Sequence, residues 1–362
     1  KKNPILYFSK QKGFKVQSKT NRKYSAQKGW YEEYYVVCPG IIAWDIYPVT
    51  IQQKPKESLY RLGAIAQKYL GDNKKDMPYK EIPICHRGTD DQRARIAEYC
   101  VHDTVLVDKL ISKLKYLINY IEMARVIGIN FQDVIVRGQT FKVMRKIYEK
   151  TKELGYIVPT YQTNYETKEK IVPYFQSVVN VKTGNVGMAM SGKFSGATVI
   201  EPNYEMNDGK KLFMKIPIVT LDFASLYPSI MMFHNLSHDT FIRSKQEVRE
   251  RGLDYDKDVT ETPDGFLFVK KHVRQGILPI ILDELLSARK RAKQQKKQAT
   301  NDSDKAVYDG KQLALKVCCN SVYGFCGATT SNIPNRAIAQ SVTGFGRKML
   351  HDTKTFMKKH YG

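Results

Sequence analysis

The 362-residue chain is 42% hydrophobic and carries 59 Lys and Arg against 36 Asp and Glu, a formal net charge of +23. A disordered tail and a disulfide-stapled miniprotein are excluded, and about two or three domains with cores of their own fit. The charge points to a polyanion, with nucleic acid ahead of an anionic membrane surface. The opening KKNPILYFSK lacks the run of about 7 to 15 apolar residues that a secretory signal needs. Residues 217–233, the most apolar stretch, are too few to span a bilayer and are interrupted by Asp222 and Pro228, so no membrane segment is expected. Cys38, Cys85, Cys100, Cys318, Cys319 and Cys326 form no CxxC pair. Neither a zinc site nor a disulfide framework is indicated, and a reducing compartment fits best.

Through about residue 90, β-like runs at 34–37 and 41–46 alternate with basic, Gly-containing loops, as a mixed α/β region would. DDQRARIAEYCVHDTVLVDKLISKLKYLINYIEMARV then reads as a long helix or helix pair, with Ile96, Val101, Val105, Leu106, Leu110, Leu114, Leu117, Ile118 and Ile121 apolar. On it Tyr99 and Asp103, four apart, share a face. The pattern predicts a second helix over 131–154 with Val134, Ile135, Phe141, Ile147 and Leu154 on its stripe. Residues 160–196 are loop-rich, with Gly184, Gly187, Gly192 and Gly196 near the end. A strand-like ATVIEP, a turn at NDGKK and the apolar run around Asp222 follow.

Residues 216–221 are apolar and β-branched, as a strand buried on both faces would be, and Pro228 and Ser229 mark a turn and helix start. Asp222 is therefore expected where a buried strand ends. An unpaired carboxylate there would cost several kcal/mol, so it needs donors or a cation, and a salt bridge and a metal ligand are both open. After a polar stretch over 243–265, GILPIILDELLSARKRAKQQKKQ and, from about residue 307, GKQLALKVCCNSVYGFCG read as two antiparallel helices around a polar TNDSD tip. On the first, Arg289, Lys293 and Lys297 fall on one face. On the second, Lys316, Asn320 and Tyr323 do the same, and Lys316 stands among Leu313, Ala314, Leu315 and Val317. That is a cationic wall with an aromatic at its end, suited to phosphates and a stacked base, and Gly324 removes a side chain where a base pair could approach. The last segment places Val342, Phe345, Met349, Leu350, Phe356 and Met357 on one helical face.

DFASLYPSI, beginning at Asp222, resembles motif A of the family B DNA polymerases, and KVCCNSVYG, beginning at Lys316, resembles their motif B. The order is right, and a hairpin carrying SARKRAK separates them. AEYCVHD is similar to the third exonuclease motif, FSGATVIEP to the linker between the exonuclease and polymerase modules, and LPIILDELLSARKRAK to the first fingers helix. The resemblance runs through nearly the whole chain and is nearest to the delta-type members and their large-DNA-virus counterparts.

This resemblance implies an α/β fold: an RNase H-like exonuclease remnant over 1–122, a linker and early polymerase module over 123–215, a palm with antiparallel sheet over 216–275, two-helix fingers over 276–340 and a return to the palm over 341–362, with the thumb absent. It implies template-directed addition of dNTPs to a primer 3'-hydroxyl with two Mg²⁺ ions, and 3'-5' proofreading in the intact protein. Asp222, with the Phe223 carbonyl, would hold both ions. Ser225, Leu226 and Tyr227 would hold the triphosphate, with Tyr227 under the sugar rejecting a 2'-hydroxyl. Arg289, Lys293, Lys316 and Asn320 would grip phosphates, Lys316 acting in catalysis, and Tyr323 would press on the nascent base pair. Phe194, Gly196 and Gly324 would meet DNA, and Tyr99 and Asp103 would belong to a metal-dependent exonuclease site. Implied partners are primer-template DNA, a sliding clamp and accessory subunits reached through regions outside this chain, and no membrane. The implied location is the nucleus, or a host nucleus or cytoplasmic factory for a viral enzyme.

The chain departs from the family pattern in three places. No YGDTDS motif follows motif B, HDTK at 351–354 being a poor match. The first two exonuclease motifs are not found before Asp103, and AWDIYP at Asp45 lacks the expected Glu. Phe194 stands where the linker motif has Tyr. The chain starts at Lys1 without Met, so an internal piece of a longer polymerase is expected, and the alternative is a catalytically silent nucleic-acid-binding module.

Overall fold

The computed structural model describes residues 16–25, 29–158, 178–179, 186–187, 196–199, 220–328 and 331–361. The chain divides into two compact units, Lys1–Ile118 and Asn119–Gly362.

The first unit opens on an antiparallel hairpin, β1 (Gln17–Ser25) with β2 (Gly29–Val37), in register from Gln17 opposite Val37 to Ser25 opposite Gly29. The run at 34–37 thus lies in a strand, but 41–46 does not. Cys38 and Ile41 form a lone bridge around Gly40, which has φ +79°, and Asp45 then caps a helix by accepting from Tyr47 N. Helices α1 (Ile46–Gln53), α2 (Leu62–Leu70), α3 (Glu81–Arg87) and α4 (Asp90–Lys113) follow, so β-like runs do not alternate with loops through residue 90: one hairpin is succeeded by helices. The start of α4 is fixed by a capping box between Thr89 and Gln92. Leu106 and Leu110 are buried with Ile65, Ala66 and Tyr116, whereas Val101 and Val105 of the expected stripe face outward. The helix stops where Lys115 turns left-handed at φ +57°, and α5 (Tyr116–Ile127) completes the pair.

In the second unit the helix expected over 131–154 is two, α6 (Phe131–Val136) and α7 (Gln139–Glu153), parted at Arg137 and Gly138. Val134 and Ile147 are buried, while Phe141 and Leu154 are exposed. A short pair, β3 (Val178–Val179) and β4 (Val186–Gly187), precedes α8 (Leu226–Phe233). Strands β5 (Phe241–Ile242), β6 (Val259–Glu261) and β7 (Leu267–Val269) form an antiparallel sheet in the order β5-β7-β6, with α9 (Lys245–Glu250) and α10 (Tyr255–Asp258) between β5 and β6. The chain closes with α11 (Ile277–Gln298), α12 (Asp302–Gly327) and α13 (Arg336–Tyr361). The described residues are therefore mainly helical with small antiparallel sheets. None of their helices is long and apolar enough to cross a membrane.

Helices α11 and α12 are the expected antiparallel pair, but α12 begins at Asp302 rather than near residue 307. Asn301 Oδ1 accepts from Asp304 N at 2.7 Å, and Asp302 and Asp304 place negative charge at the positive end of the helix. The polar tip is a capping sequence as much as a turn. One core, including Met231, Leu236, Phe268, Leu278, Leu282, Phe325 and Ile338, joins α8, β7, α11, α12 and α13. Each such side chain contributes roughly 1.5–3 kcal/mol on burial. At the root of α11, buried Asn235 adopts φ +55° and bonds three ways: Nδ2 donates to Val269 O and Arg274 O, and Oδ1 accepts from Gly276 N. A Cβ on Gly276 would lie 2.6 Å from Ser237 Cβ, so only glycine lets α11 start this close to the segment that leaves α8. Helix α7 packs on both α11 and α12, and Lys150 Nζ meets Glu284 of α11 at 2.6 Å. Burial opposes the Lys150 charge, but hydrogen bonds to Glu153 and Glu284 outweigh it and its pKa is raised.

Candidate functional site

Asp222 is not buried. Residues 220–223 are neither helix nor strand, Leu221 is 66% exposed and Asp222 itself is exposed; residues 216–219 lie outside the described set. The hydrophobicity of 217–233 misleads because much of it belongs to α8, whose Ile230 and Met231 enter the core while the approach to the helix stays in water. Burial therefore does not force a counterion on Asp222. Solvent satisfies the carboxylate, which has neither ion pair nor hydrogen bond among the described residues, and its oxygens stay available to a ligand. No three His, Cys, Asp or Glu side chains of the described residues cluster as metal ligands.

The turn into α8 is strained. Ser225, the N-cap, sits at φ +52°, ψ +48° and makes no side-chain capping bond, while its carbonyl accepts from Ser229 N at 3.0 Å. A non-glycine residue held left-handed costs of order 1–3 kcal/mol and persists only where its surroundings impose it. The first turn of α8 has backbone donors without intrahelical partners, and Asp222 and Phe223 lie just before it in the chain. The helix starts at Leu226, two residues before Pro228, which the first turn tolerates.

Tyr227 and Tyr323 come together across α8 and α12. Their ring centroids are 4.5 Å apart with planes tilted by 43°. Burial, then the neighbouring Tyr227, pushes the Tyr323 hydroxyl up to about 12, so that ring is a neutral packing surface at physiological pH. A third wall was not read from the sequence: a Cβ on Gly346 of α13 would touch Tyr227 Cε1 at 3.9 Å. The nearby glycines of SVTGFG were its only signal. In α12 the 3.6-residue period turns Leu315, Cys319, Val322 and Cys326 inward and leaves Lys316, Asn320 and Gly324 exposed. Lys316 needs no special partner to stand in so apolar a run. No described atom lies within 4 Å of a Cβ built on Gly324, so the space beside Tyr323 is open. On α11, Lys293 is exposed and Arg289 half-buried, and neither they nor Lys316 have an ion-pair partner among the described residues. Arg289 Nε is buried without a hydrogen-bond partner, and its charge opposes the burial that pushes the Cys319 thiol up to about 12. The structure thus gathers Ser225, Leu226 and Tyr227 with the hairpin bearing Arg289, Lys293, Lys316, Asn320 and Tyr323.

Residues 129–362 match the family model for DNA polymerase family B. The chain belongs to the family B DNA polymerases. Its similarity to DNA polymerase delta catalytic subunits is 41% identity over 323 residues for the Schizosaccharomyces pombe protein, covering 89% of this chain and 27% of that one. For Candida albicans it is 38% over 359 residues, 99% of this chain and 31% of the relative, and for Drosophila melanogaster 36% over 357 residues, 98% and 30%. The chain therefore spans between a quarter and a third of the length of these relatives. In fold it resembles the family B DNA polymerase from Pyrobaculum calidifontis, with a TM-score of 0.63 at 22% identity, over 94% of this chain and 39% of that one.

Two other parts of this family B chain bear on the site residues read from the sequence. Tyr99 and Asp103 do share a face of α4, where both meet Lys74: its Nζ lies 2.9 Å from Asp103 Oδ2 and 5.1 Å from the Tyr99 ring centroid. Hydrogen bonds to Tyr99 and then Asp103 raise the Lys74 pKa, so the lysine stays charged. Asp103 Oδ1 is buried without a hydrogen-bond partner, a carboxylate only half satisfied. Of the two residues expected in a linker, Phe194 lies outside the described residues, whereas Gly196 is exposed and its carbonyl accepts from Arg347 Nη1 at 3.0 Å.

Proposed function

We propose that this chain is part of a delta-like, DNA-directed DNA polymerase that extends a primer with dNTPs and, in the intact protein, proofreads with a 3'-5' exonuclease. The observation that carries this is the juxtaposition of Tyr227 and Tyr323, 4.5 Å apart, where the helix that follows Asp222 packs on the cationic hairpin. In the proposed division, 1–122 derive from the exonuclease domain, 123–215 lead into the polymerase module, 216–275 and 341–362 belong to the palm, and 276–340 are the fingers.

Residues of this chain then act as follows. Arg289, Lys293, Lys316 and Asn320 hold the triphosphate, and the backbone donors at the start of α8, with Ser225 and Leu226, hold its oxygens from the other side. The Tyr227 ring, backed by Tyr323 and α13, lies under the sugar and excludes a 2'-hydroxyl by contact. Tyr323 and the open space at Gly324 receive the nascent base pair. The primer 3'-oxygen attacks the α-phosphorus in line, that bond forms as the bond to pyrophosphate breaks, and Lys316 offsets charge on the departing phosphates. Magnesium fits the oxygen donors of Asp222 and Phe223: the Asp222 carboxylate is solvated and unclaimed by any cation of the described residues, and hard oxygen ligands suit that ion. When bound, two Mg²⁺ ions stabilise the attacking and leaving oxygens, and one Asp must be joined by further carboxylates to hold both. At the exonuclease half-site, Tyr99 and the half-satisfied Asp103 are the groups this chain supplies. The action of such an enzyme on replicating DNA implies a nuclear or viral-factory location and a clamp as partner.

The deciding experiment is Asp222→Ala in the full-length protein. Primer extension is expected to fall to background while DNA affinity changes by no more than a few-fold. Normal extension by the variant would overturn the assignment.

A further inference from the structure

We propose that the cavity between α7, β5 and the start of α11 binds a small, neutral, largely apolar molecule through one amide edge. The cavity has a volume of about 440 Å³, and its lining includes Ile147, Phe241, Leu278 and Ile333 together with Asp239 and Arg274. That size falls within the roughly 300–1,000 Å³ of small-molecule sites, which are mostly apolar with a few placed polar groups. No residue of the cavity belongs to the site at Tyr227 and Tyr323, so the inference stands apart from the polymerase reading.

The polar groups point to a ligand. Asp239 Oδ2 and Arg274 Nε lie 3.4 Å apart, yet each is buried without a hydrogen-bond partner. Their charges offset each other while one acceptor and one donor go unused, which native interiors rarely allow. Both side chains are held from elsewhere. Asp239 Oδ1 accepts from Ser237 Oγ and, at 3.1 Å, from Ile277 N, which ties the carboxylate to the start of α11. The Arg274 carbonyl accepts from Asn235 Nδ2 at 2.7 Å, and its guanidinium carbon lies 5.1 Å from the centroid of the Tyr156 ring. An acceptor and a donor are thus fixed side by side on the wall of an apolar space.

Those two atoms define the complement. A primary amide or a lactam carries N–H and C=O on one edge, so its N–H donates to Asp239 Oδ2 while its oxygen accepts from Arg274 Nε. A trans peptide bond points the two groups in opposite directions and fits less well. A single water, at about 30 Å³, would bridge the pair but leave the apolar volume unfilled. The charges do not ask for an anion, because Glu247 pairs with both other arginines of the lining, with Arg243 Nε at 3.6 Å and with Arg251 Nη2 at 2.5 Å. Around the amide edge, buried Ile147, Leu278 and Ile333 offer dispersion contact to an apolar body.

The test is isothermal titration calorimetry of the full-length protein with quinolin-2-one, a bicyclic lactam, and with its N-methyl derivative, which has no N–H to donate. The lactam is expected to saturate one site, and the methylated probe to bind at least about tenfold more weakly, as the loss of a hydrogen bond to a charged group requires. No saturable binding of the lactam, or equal affinity of the two probes, overturns the proposal. Asp239→Asn sets a donor beside the Arg274 donor and should weaken the lactam by about the same factor while narrowing the gap between the probes; wild-type affinity in this variant would overturn the amide edge. Val158, half-buried on the cavity wall, gives a second variant. Val158→Trp should abolish lactam binding with primer extension retained, and undiminished binding would place the lactam elsewhere and overturn the site.

Discussion

Asp222 and Asp103 are both proposed metal ligands, yet the chain presents them in opposite ways. Asp103 stands on a capped helix of 24 residues, paired through one oxygen with Lys74 and orphaned at the other. Asp222 stands in irregular backbone, exposed and unpaired among the described residues, next to a left-handed serine. Local sequence thus predicts the setting of a helical acid far better than that of an acid at an element's edge. Spacing alone puts Tyr99 beside Asp103. Nothing in the residues around Asp222 says whether water or protein surrounds it.

The largest expected effects separate the two acids. Asp222→Ala should abolish primer extension and leave 3'-end degradation, whereas Asp103→Ala should do the reverse; both activities falling together in either variant would mean that the acids do not serve separate sites. Tyr227→Ala comes next. It should admit ribonucleotides while deoxynucleotide insertion survives at a reduced rate, provided the variant melts as a folded protein, and unchanged sugar selection in single-nucleotide insertion assays removes the gate.

A smaller effect concerns the packing behind α8. His234 stacks on Phe345 with centroids 3.5 Å apart, and burial, helped by Lys348, lowers its pKa from 6.5 to about 4. With the folded value depressed, the unfolded chain binds the extra proton between these values. The stability from neutral His234 is therefore full above pH 6.5 and lost as the pH falls to about 4. Urea midpoints should drop over that window, and less steeply for His234→Phe. Buried His238 shifts the same way, so the variant flattens only part of the dependence. The smallest effect is Ser225→Gly, which should relieve strain of order 1 kcal/mol at φ +52° and raise the melting temperature slightly, offset by the greater freedom of unfolded glycine. A clear loss of stability would mean that the serine side chain supports the turn.

Much of the fold was legible where periodicity governs: the hairpin α11 and α12, the pair α4 and α5, the final helix. The misreadings fall where one local signal competes with another. Gly138 splits a pattern that otherwise runs from 131 to 154, and the acids after Asn301 start α12 earlier than its apolar stripe suggests. At the site, spacing on α11 and α12 put Lys293, Lys316 and Asn320 on exposed faces, whereas the contact of Tyr227 with Tyr323, the Gly346 wall and the reach of Arg347 to Gly196 join residues from 96 to 151 positions apart.

By itself the sequence determined the family, the charge, and which side chains share each helical face, because a period of 3.6 residues is a property of the backbone alone. Tertiary structure decided what those faces meet: that Asp222 is wet, that Asp103 is half paired, and that α13 closes behind Tyr227. Burial and partnership depend on atoms brought in from distant parts of the chain, and no local pattern encodes which of them arrive.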